Sequence, residues 1–255
     1  MIQSTESALR PLKWYASLHK ARGRKAEGFF LVEGLRAVEQ ILRNLPEAVD
    51  ELLYVENCPA WDSGRPSRQL TEKQMRQVCA STTPQGLAVV LRLPHDVYSG
   101  ELPNPPGRRI LVLDDVQDPG NVGTLIRSAA AFDFDGVLLS EGSADPFGPK
   151  AVQATAGALG ALWVRKTDAV FTVVQSLRQS GRPLVVADVN ACHAPSELTQ
   201  FTDFLLLLGN EAKGPSPHFL ELADKAICIP MNVAKIESLN VAVSGAILMS
   251  ASFQS

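Results

Sequence analysis

Residues 110–130 read ILVLDDVQDPGNVGTLIRSAA, and the architecture of the longer part of the chain follows from this stretch. Ile110 to Asp114 is a strand candidate, apolar and without polar alternation until its end. Such strands are covered on both faces, as in a parallel sheet flanked by helices. Pro119-Gly120 forces a turn, and Asn121 is placed to cap the helix that runs on to Phe132. On that helix Val122, Leu125, Ile126, Ala129 and Ala130 form a buried stripe. Asn121, Thr124, Arg127 and Ser128 fall on the opposite arc. The turn therefore projects an amide, a hydroxyl and a guanidinium over a strand end.

Further runs of the same kind lie downstream. Val137–Leu139, Leu162–Val164, Leu184–Ala187, Phe204–Leu208 and Ala226–Ile229 are strand candidates. Helical patterns over Asn121–Phe132, Pro149–Leu159, Ala169–Gln179, Pro217–Leu222 and Ser238–Ser250 separate them. Residues 110–255 thus read as an open parallel α/β sheet of five or six strands. Upstream, PHDVYSGELPNPPGRR over 94–109 is rich in Pro and Gly, and 96–109 reads as a linker. Residues 1–95 form a small mixed α/β domain. It has strands at Phe29–Val32, Leu52–Val55 and Gly86–Leu93, and helices at Gly34–Asn44 and Thr71–Val78.

The 255 residues are 45% hydrophobic and 20% charged, an ordinary globular balance. No run of 18 or more apolar residues appears, so no membrane span is expected. The N-terminus lacks a basic-then-apolar secretory pattern, which points to the cytoplasm. The four cysteines and four histidines share no ligand spacing, so neither a metal site nor a disulfide is expected. The net charge of −3 is unevenly spread: Arg10, Lys13, Lys20, Arg22, Arg24 and Lys25 crowd the first 30 residues against Glu6 and Glu27. A basic end on an acidic body suits a protein that meets phosphates at one place. A solvated basic helix face accounts for it equally well.

In open parallel sheets ligands collect beyond the carboxyl ends of the strands. Two more strand ends carry unusual sequence. LLLLGNEAKGP over 205–215 empties a buried strand into Gly209, Asn210 and Glu211. IPMNVAKIESLNVAV over 229–243 leads from a strand through a loop into a helix, where Ser238 is the expected N-cap, with Leu239, Ala242, Val243 and Ala246 as the apolar stripe. Asn240, inside the expected first turn, has no evident structural reason there. DPGNVGTL lacks the G-x-G-x-x-G spacing, and Pro215 stands where a P-loop needs Lys, so dinucleotide-fold and NTPase readings both fail.

In this order, DPGNVGTLIRSAAAF, LLLLGNEAKG and IPMNVAKIESLNVAV resemble the three motifs of the SpoU/TrmH family of RNA ribose 2′-O-methyltransferases, and the match spans residues 110–252. KARGRKAEGFFLVEGLRAVEQIL resembles the RNA-substrate-binding domain that precedes the catalytic domain in many members, a domain similar to certain ribosomal proteins. The resemblance implies a deep trefoil knot in the C-terminal part, S-adenosylmethionine as cofactor and a homodimer. It places cofactor contacts at Leu208, Gly209, Glu211, Ile229, Met231, Ser238 and Leu239. Catalytic roles fall on Asn121, Arg127, Glu211, Ser238 and Asn240. In the family the Arg of one subunit commonly works against the pocket of the other. A guanidinium is effectively always protonated, so Arg127 is read as a phosphate clamp or as aiding proton transfer through that phosphate. Arg22, Arg24, Lys25 and Phe30 are the candidate RNA contacts. Family analogy favours ribosomal RNA over transfer RNA. Two alternatives stay open: a transfer-RNA methyltransferase, and an inactive RNA-binding or ribosome-assembly protein on the same scaffold.

Overall fold

The computed structural model describes residues 10–56, 58, 66–191, 193–232 and 234–253; Cys192, Val233 and the N-terminal segment read for a leader lie outside them. The chain divides into two compact units, Met1–Leu93 and Pro94–Ser255.

The N-terminal unit runs α1 (Leu12–Ser17), α2 (Ala21–Glu27), β1 (Phe29–Glu33), α3 (Leu35–Asn44), β2 (Val49–Tyr54), β3 (Ser67–Gln69), α4 (Glu72–Val78) and β4 (Leu87–Arg92). Its sheet has the order β1-β4-β2-β3, antiparallel except for the β2–β3 pair. β3 escaped the sequence reading because Ser67, Arg68 and Gln69 show no apolar alternation. Tyr15 and Leu18 of the N-terminal turns are buried with Leu53, Met75, Val78 and Val90 in one core. The Tyr15 hydroxyl donates to Glu51 Oε2 at 2.7 Å. Burial, then that acidic partner, pushes its pKa up to about 12.

The C-terminal unit continues with β5 (Arg109–Leu113), α5 (Pro119–Ala131), β6 (Gly136–Ser140), α6 (Pro149–Thr155), β7 (Trp163–Thr167), α7 (Val170–Gln179), β8 (Leu184–Ala187), β9 (Phe204–Leu208), α8 (Pro217–Leu222), β10 (Lys225–Ile227) and α9 (Val241–Ser252). The six strands are all parallel, in the order β10-β8-β9-β5-β6-β7. Ile110, Val112, Leu205 and Leu207 pack on one face with Val174, Leu177 and Phe219. Leu111, Leu113, Leu206 and Leu208 are equally buried on the other, which is why these strands show no alternation. From β5 the chain builds outward to β6 and β7, then returns to place β9 on the other side. The order therefore reverses between β5 and β9, the position where open sheets form ligand crevices.

The proline-rich segment read as a linker is laid against β7. Val97 O accepts from Lys166 N at 2.8 Å, Glu101 O from Arg165 Nε at 2.8 Å, and Pro106 O from Trp163 Nε1 at 2.8 Å, while Asp96 pairs with Arg165. β7 is an edge strand, and this segment pairs one of its backbone groups, Lys166 N, and holds the Trp163 and Arg165 side chains. Among the described residues no helix is long and apolar enough to cross a membrane.

Candidate active site

Asp118, not Asn121, caps α5: its Oδ1 accepts from Asn121 N at 3.0 Å, and Pro119 takes the first helical position. Lys150 Nζ holds the other oxygen at 2.7 Å, and this ion pair, followed by the backbone bond, keeps the Asp118 carboxyl below its ordinary range. Asn121 is thereby left two positions inside the helix with its side chain available. Its Nδ2 donates to Glu211 Oε1 at 3.0 Å, and its Oδ1 accepts from Asn240 Nδ2 at 3.0 Å. Gln117 N and Asp118 N also donate to the Glu211 carboxylate, each at 3.3 Å. Burial alone would raise the pKa of Glu211. The bonds from Asn121 and from backbone N–H groups outweigh it and hold the group below the usual carboxylate range. Glu211 is therefore an ionised acceptor at neutral pH.

Asn240 has a second task. Its Oδ1 accepts from Ala242 N at 2.9 Å and Val243 N at 3.2 Å, capping α9. The expectation that Ser238 caps a helix starting there is corrected: the helix begins at Val241, and Asn240 has a structural reason to be where it is. The expected α9 stripe shifts as well. Ala242, Gly245, Leu248 and Met249 are buried, whereas Val243 is exposed and Leu239 precedes the helix. α9 is apolar around its whole circumference, so periodicity alone could not select its inner face.

The strand ends converge on a cavity of about 400 Å³, a size ordinary for a small-molecule site. Leu208, Gly209, Glu211, Ile229, Met231, Ser238 and Leu239 all line it. Gly209 is held close: a Cβ there would stand 2.2 Å from Pro215 N and 2.3 Å from Gly214 C. Asn210 shapes the same loop, donating from Nδ2 to Asp115 O at 2.9 Å and accepting at Oδ1 from Ala212 N and Lys213 N. Asp114, buried at the end of β5, anchors the far side of the loop by accepting from Ser216 N at 2.8 Å.

Lining residues that sequence reasoning missed include Asp188 and Asn190, from the end of β8, and Glu237. The rule that led to the other strand ends applies equally to Asp188-Val189-Asn190, so that signal was present. Arg127 does not line the cavity. It is exposed on α5, six residues or about 9 Å of rise beyond Asn121.

In the N-terminal unit the expected RNA contacts divide. Arg22 and Lys25 are exposed on α2. Arg24 is only 2% exposed, its Nη1 donating to Leu18 O at 2.7 Å, and Phe30 is wholly buried in β1. Both are corrections. A guanidinium spent on a buried carbonyl cannot clamp phosphate, and an enclosed ring has no face to offer a base. Inward and outward faces of α2 carry the same residue type here, so charge counting could not separate them.

The model of the family described as SpoU rRNA methylase matches residues 108–250, more than half of the chain, and the MRM3-like substrate binding domain matches residues 11–89. Fold and site together thus define an RNA methyltransferase. The chain belongs to the SpoU rRNA methylase family. It is 31% identical, over 98% of both chains, to the 23S rRNA (guanosine(2553)-2′-O)-methyltransferase RlmP of Bacillus subtilis. A TrmH-family protein from Porphyromonas gingivalis superposes with a TM-score of 0.81 at 31% identity, covering 99% of this chain and 98% of that one. The SpoU methyltransferase AviRb of Streptomyces viridochromogenes, solved with AdoMet, shares the fold with a TM-score of 0.80 at 24% identity, over 94% and 96% of the chains.

Proposed function

We propose that the protein transfers a methyl group from S-adenosylmethionine to a ribose 2′-hydroxyl of ribosomal RNA. The observation that carries this reading is the single cavity at the β8, β9 and β10 strand ends, with the Asn240–Asn121–Glu211 chain reaching its lining.

The lining suits such a donor. Leu208, Ile229 and Leu239 offer apolar surface for a nucleobase, and Asp188, Glu211 and Glu237 favour a ligand with sulfonium and ammonium charges. When bound, the cofactor supplies an activated methyl group. The chain's own residues do the positioning. Asn121, itself held by Asn240, fixes the Glu211 carboxylate at the cavity wall, and Gly209 lets the loop close upon itself. Arg127, permanently charged, clamps a phosphate of the RNA rather than removing a proton.

We read the protein as a homodimer in which Arg127 of one copy serves the cavity of the other, since within one chain it stands away from the cavity. Val243 and Ile247, one turn apart on α9, are 48% and 39% exposed, an apolar stripe suited to a second copy. The 3-10 segment Pro195–Gln200 packs against α9, which supports the reading that the C-terminal stretch threads a loop to form a trefoil knot. Residues 1–95, with exposed Arg22 and Lys25, are read as the RNA-binding domain, 96–109 as the connection and 110–255 as the catalytic domain, acting in the cytoplasm. Mapping ribose methylation in ribosomal RNA from cells with and without the protein tests the reading. Loss of one methylated ribose is expected; an unchanged map together with no calorimetric binding of S-adenosylmethionine overturns it.

A further inference from the structure

The N-terminal unit holds a cavity of its own, about 470 Å³, that the chemistry above leaves unused. Leu35, Val55 and Met75 give it apolar surface, and Thr82, Thr83 and Gln85 give it hydroxyls and an amide. We propose that this cavity receives a nucleobase of the RNA substrate, turned out of its stack; the proposal rests on the reading of the protein as an RNA methyltransferase.

The wall of the cavity is built in advance. The Glu33 carboxylate at the end of β1 accepts from Ala80 N at 2.5 Å and Ser81 N at 3.2 Å. Gln85 Oε1 accepts from Leu35 N at 3.1 Å, and Gly86 O accepts from Val55 N at 2.9 Å. Gly86 has φ +81°, and a Cβ there would come within 2.6 Å of Val55 Cγ2. The loop from Ala80 to Gly86 is thus tied to β1, α3 and β2, and little conformational freedom remains to be lost on binding.

The chemistry of the lining matches a base better than a purely apolar ligand. A base offers two apolar faces and an edge of donors and acceptors. Leu35, Val55 and Met75 can cover the faces. Gln85 uses its carbonyl on Leu35 N and keeps its amide protons as donors, and the Thr82 and Thr83 hydroxyls both donate and accept. Charge agrees. Residues 1–93 carry 13 Lys and Arg against 10 Asp and Glu, whereas the remainder carries 11 against 17. Exposed Arg36 follows Leu35 directly; Arg76 lines the cavity together with Glu72, the two paired at 3.4 Å, so the rim itself is close to neutral and the attraction comes from the unit as a whole. A polyanion is drawn more strongly to this unit of the chain than to the acidic remainder.

The test uses the full-length protein and a transcribed large-subunit ribosomal RNA carrying 4-thiouridine or 6-thioguanosine. After irradiation and trypsin digestion, a nucleotide adduct is expected on the peptide Gln77–Arg92. Thr82 and Thr83 are exposed, so Thr83→Trp, or Thr82→Trp should the first variant fold poorly, fills the cavity from its polar side. The filled variant should lose the adduct and bind the RNA about tenfold more weakly, with calorimetric binding of S-adenosylmethionine unchanged; Thr83→Ala should behave as the native protein. Adducts confined to other peptides, or native RNA affinity in the filled variant, overturn the proposal and leave the methyltransferase reading standing. Absence of any RNA binding by the native chain overturns both.

Discussion

Asn240 Nδ2 donates to Asn121 Oδ1 at 3.0 Å, although the two residues stand 119 positions apart. Since Asn121 in turn donates to Glu211, one residue from each of the three motifs joins a single hydrogen-bonded chain. Both amides of this chain are oriented by what they bond, because only one orientation of each satisfies donors and acceptors together. The three motifs are thus one physical unit, whose parts are expected to fail together.

Asn240→Asp separates the two tasks of this residue. Aspartate caps a helix as well as asparagine, so thermal stability should change by less than about 1 kcal/mol. The donor to Asn121 is lost and a second carboxylate enters the chain. Methyl transfer to ribosomal RNA should fall about tenfold or more, as for loss of a hydrogen bond in a charged network. Steady-state kinetics beside a melting curve check this; native turnover would exclude a positioning role for the Asn240 amide.

Glu211 gives a pH signature. Its carboxyl is held below the ordinary range by Asn121 and backbone donors that outweigh burial. A group depressed in the folded state stabilises fully above its unfolded pKa, about 4.3, and loses that contribution as pH falls through the lower folded value. The difference in unfolding free energy between the native chain and Glu211→Gln should therefore be constant from about pH 6 to 8 and shrink toward pH 3. Urea titrations across that range measure it. A difference that grows on acidification would reverse the sign of the assignment.

Gly209→Ala should be severe. The new Cβ would meet the backbone of Gly214 and Pro215, which cannot move aside as a flexible side chain can. Overpacking of this kind costs about 1–3 kcal/mol and should displace the loop at the cavity wall. Calorimetry should show cofactor affinity reduced by more than about tenfold, with the circular dichroism of the fold retained.

Arg127→Lys keeps the charge and removes the planar fork. With Arg127 outside the cavity, cofactor affinity should stay native while turnover on RNA drops about tenfold or more, the loss expected for bidentate phosphate recognition. Near-native turnover would show that any cation suffices there.

Ile247→Glu places a charge in the exposed apolar stripe of α9. If a second copy covers that stripe, the variant should sediment as a monomer at concentrations where the native chain is dimeric. A native protein that is already monomeric in the ultracentrifuge would remove the dimer from the account.

The parallel sheet was legible because burial on both faces leaves a local mark. Four consecutive apolar residues at Ile110–Leu113, and again at Leu205–Leu208, can be read without knowing their neighbours. β3 left no such mark, since Ser67–Gln69 lie at a polar edge. The caps lie two or three residues from their expected places: Asp118 and Asn240, not Asn121 and Ser238, hold the helix ends. Each stretch contains several residues able to cap, and the choice among them depends on where the preceding loop must go. Asp188 and Asn190 are legible by the strand-end rule, since they follow β8 directly.

The amino-acid sequence alone determined which strands are buried, which strand ends carry unusual polar sequence, and the motif order that marks the family. These properties reside in a few adjacent residues, where propensity and periodicity act. Only the tertiary structure decided that Asn240, Asn121 and Glu211 form one chain, that Arg24 and Phe30 turn inward, and that Arg127 stands apart from the cavity. Each of those outcomes depends on the reversal of strand order between β5 and β9 or on which face of a helix or strand is packed inward. Both bring distant residues within hydrogen-bond reach, and neither is written in local sequence.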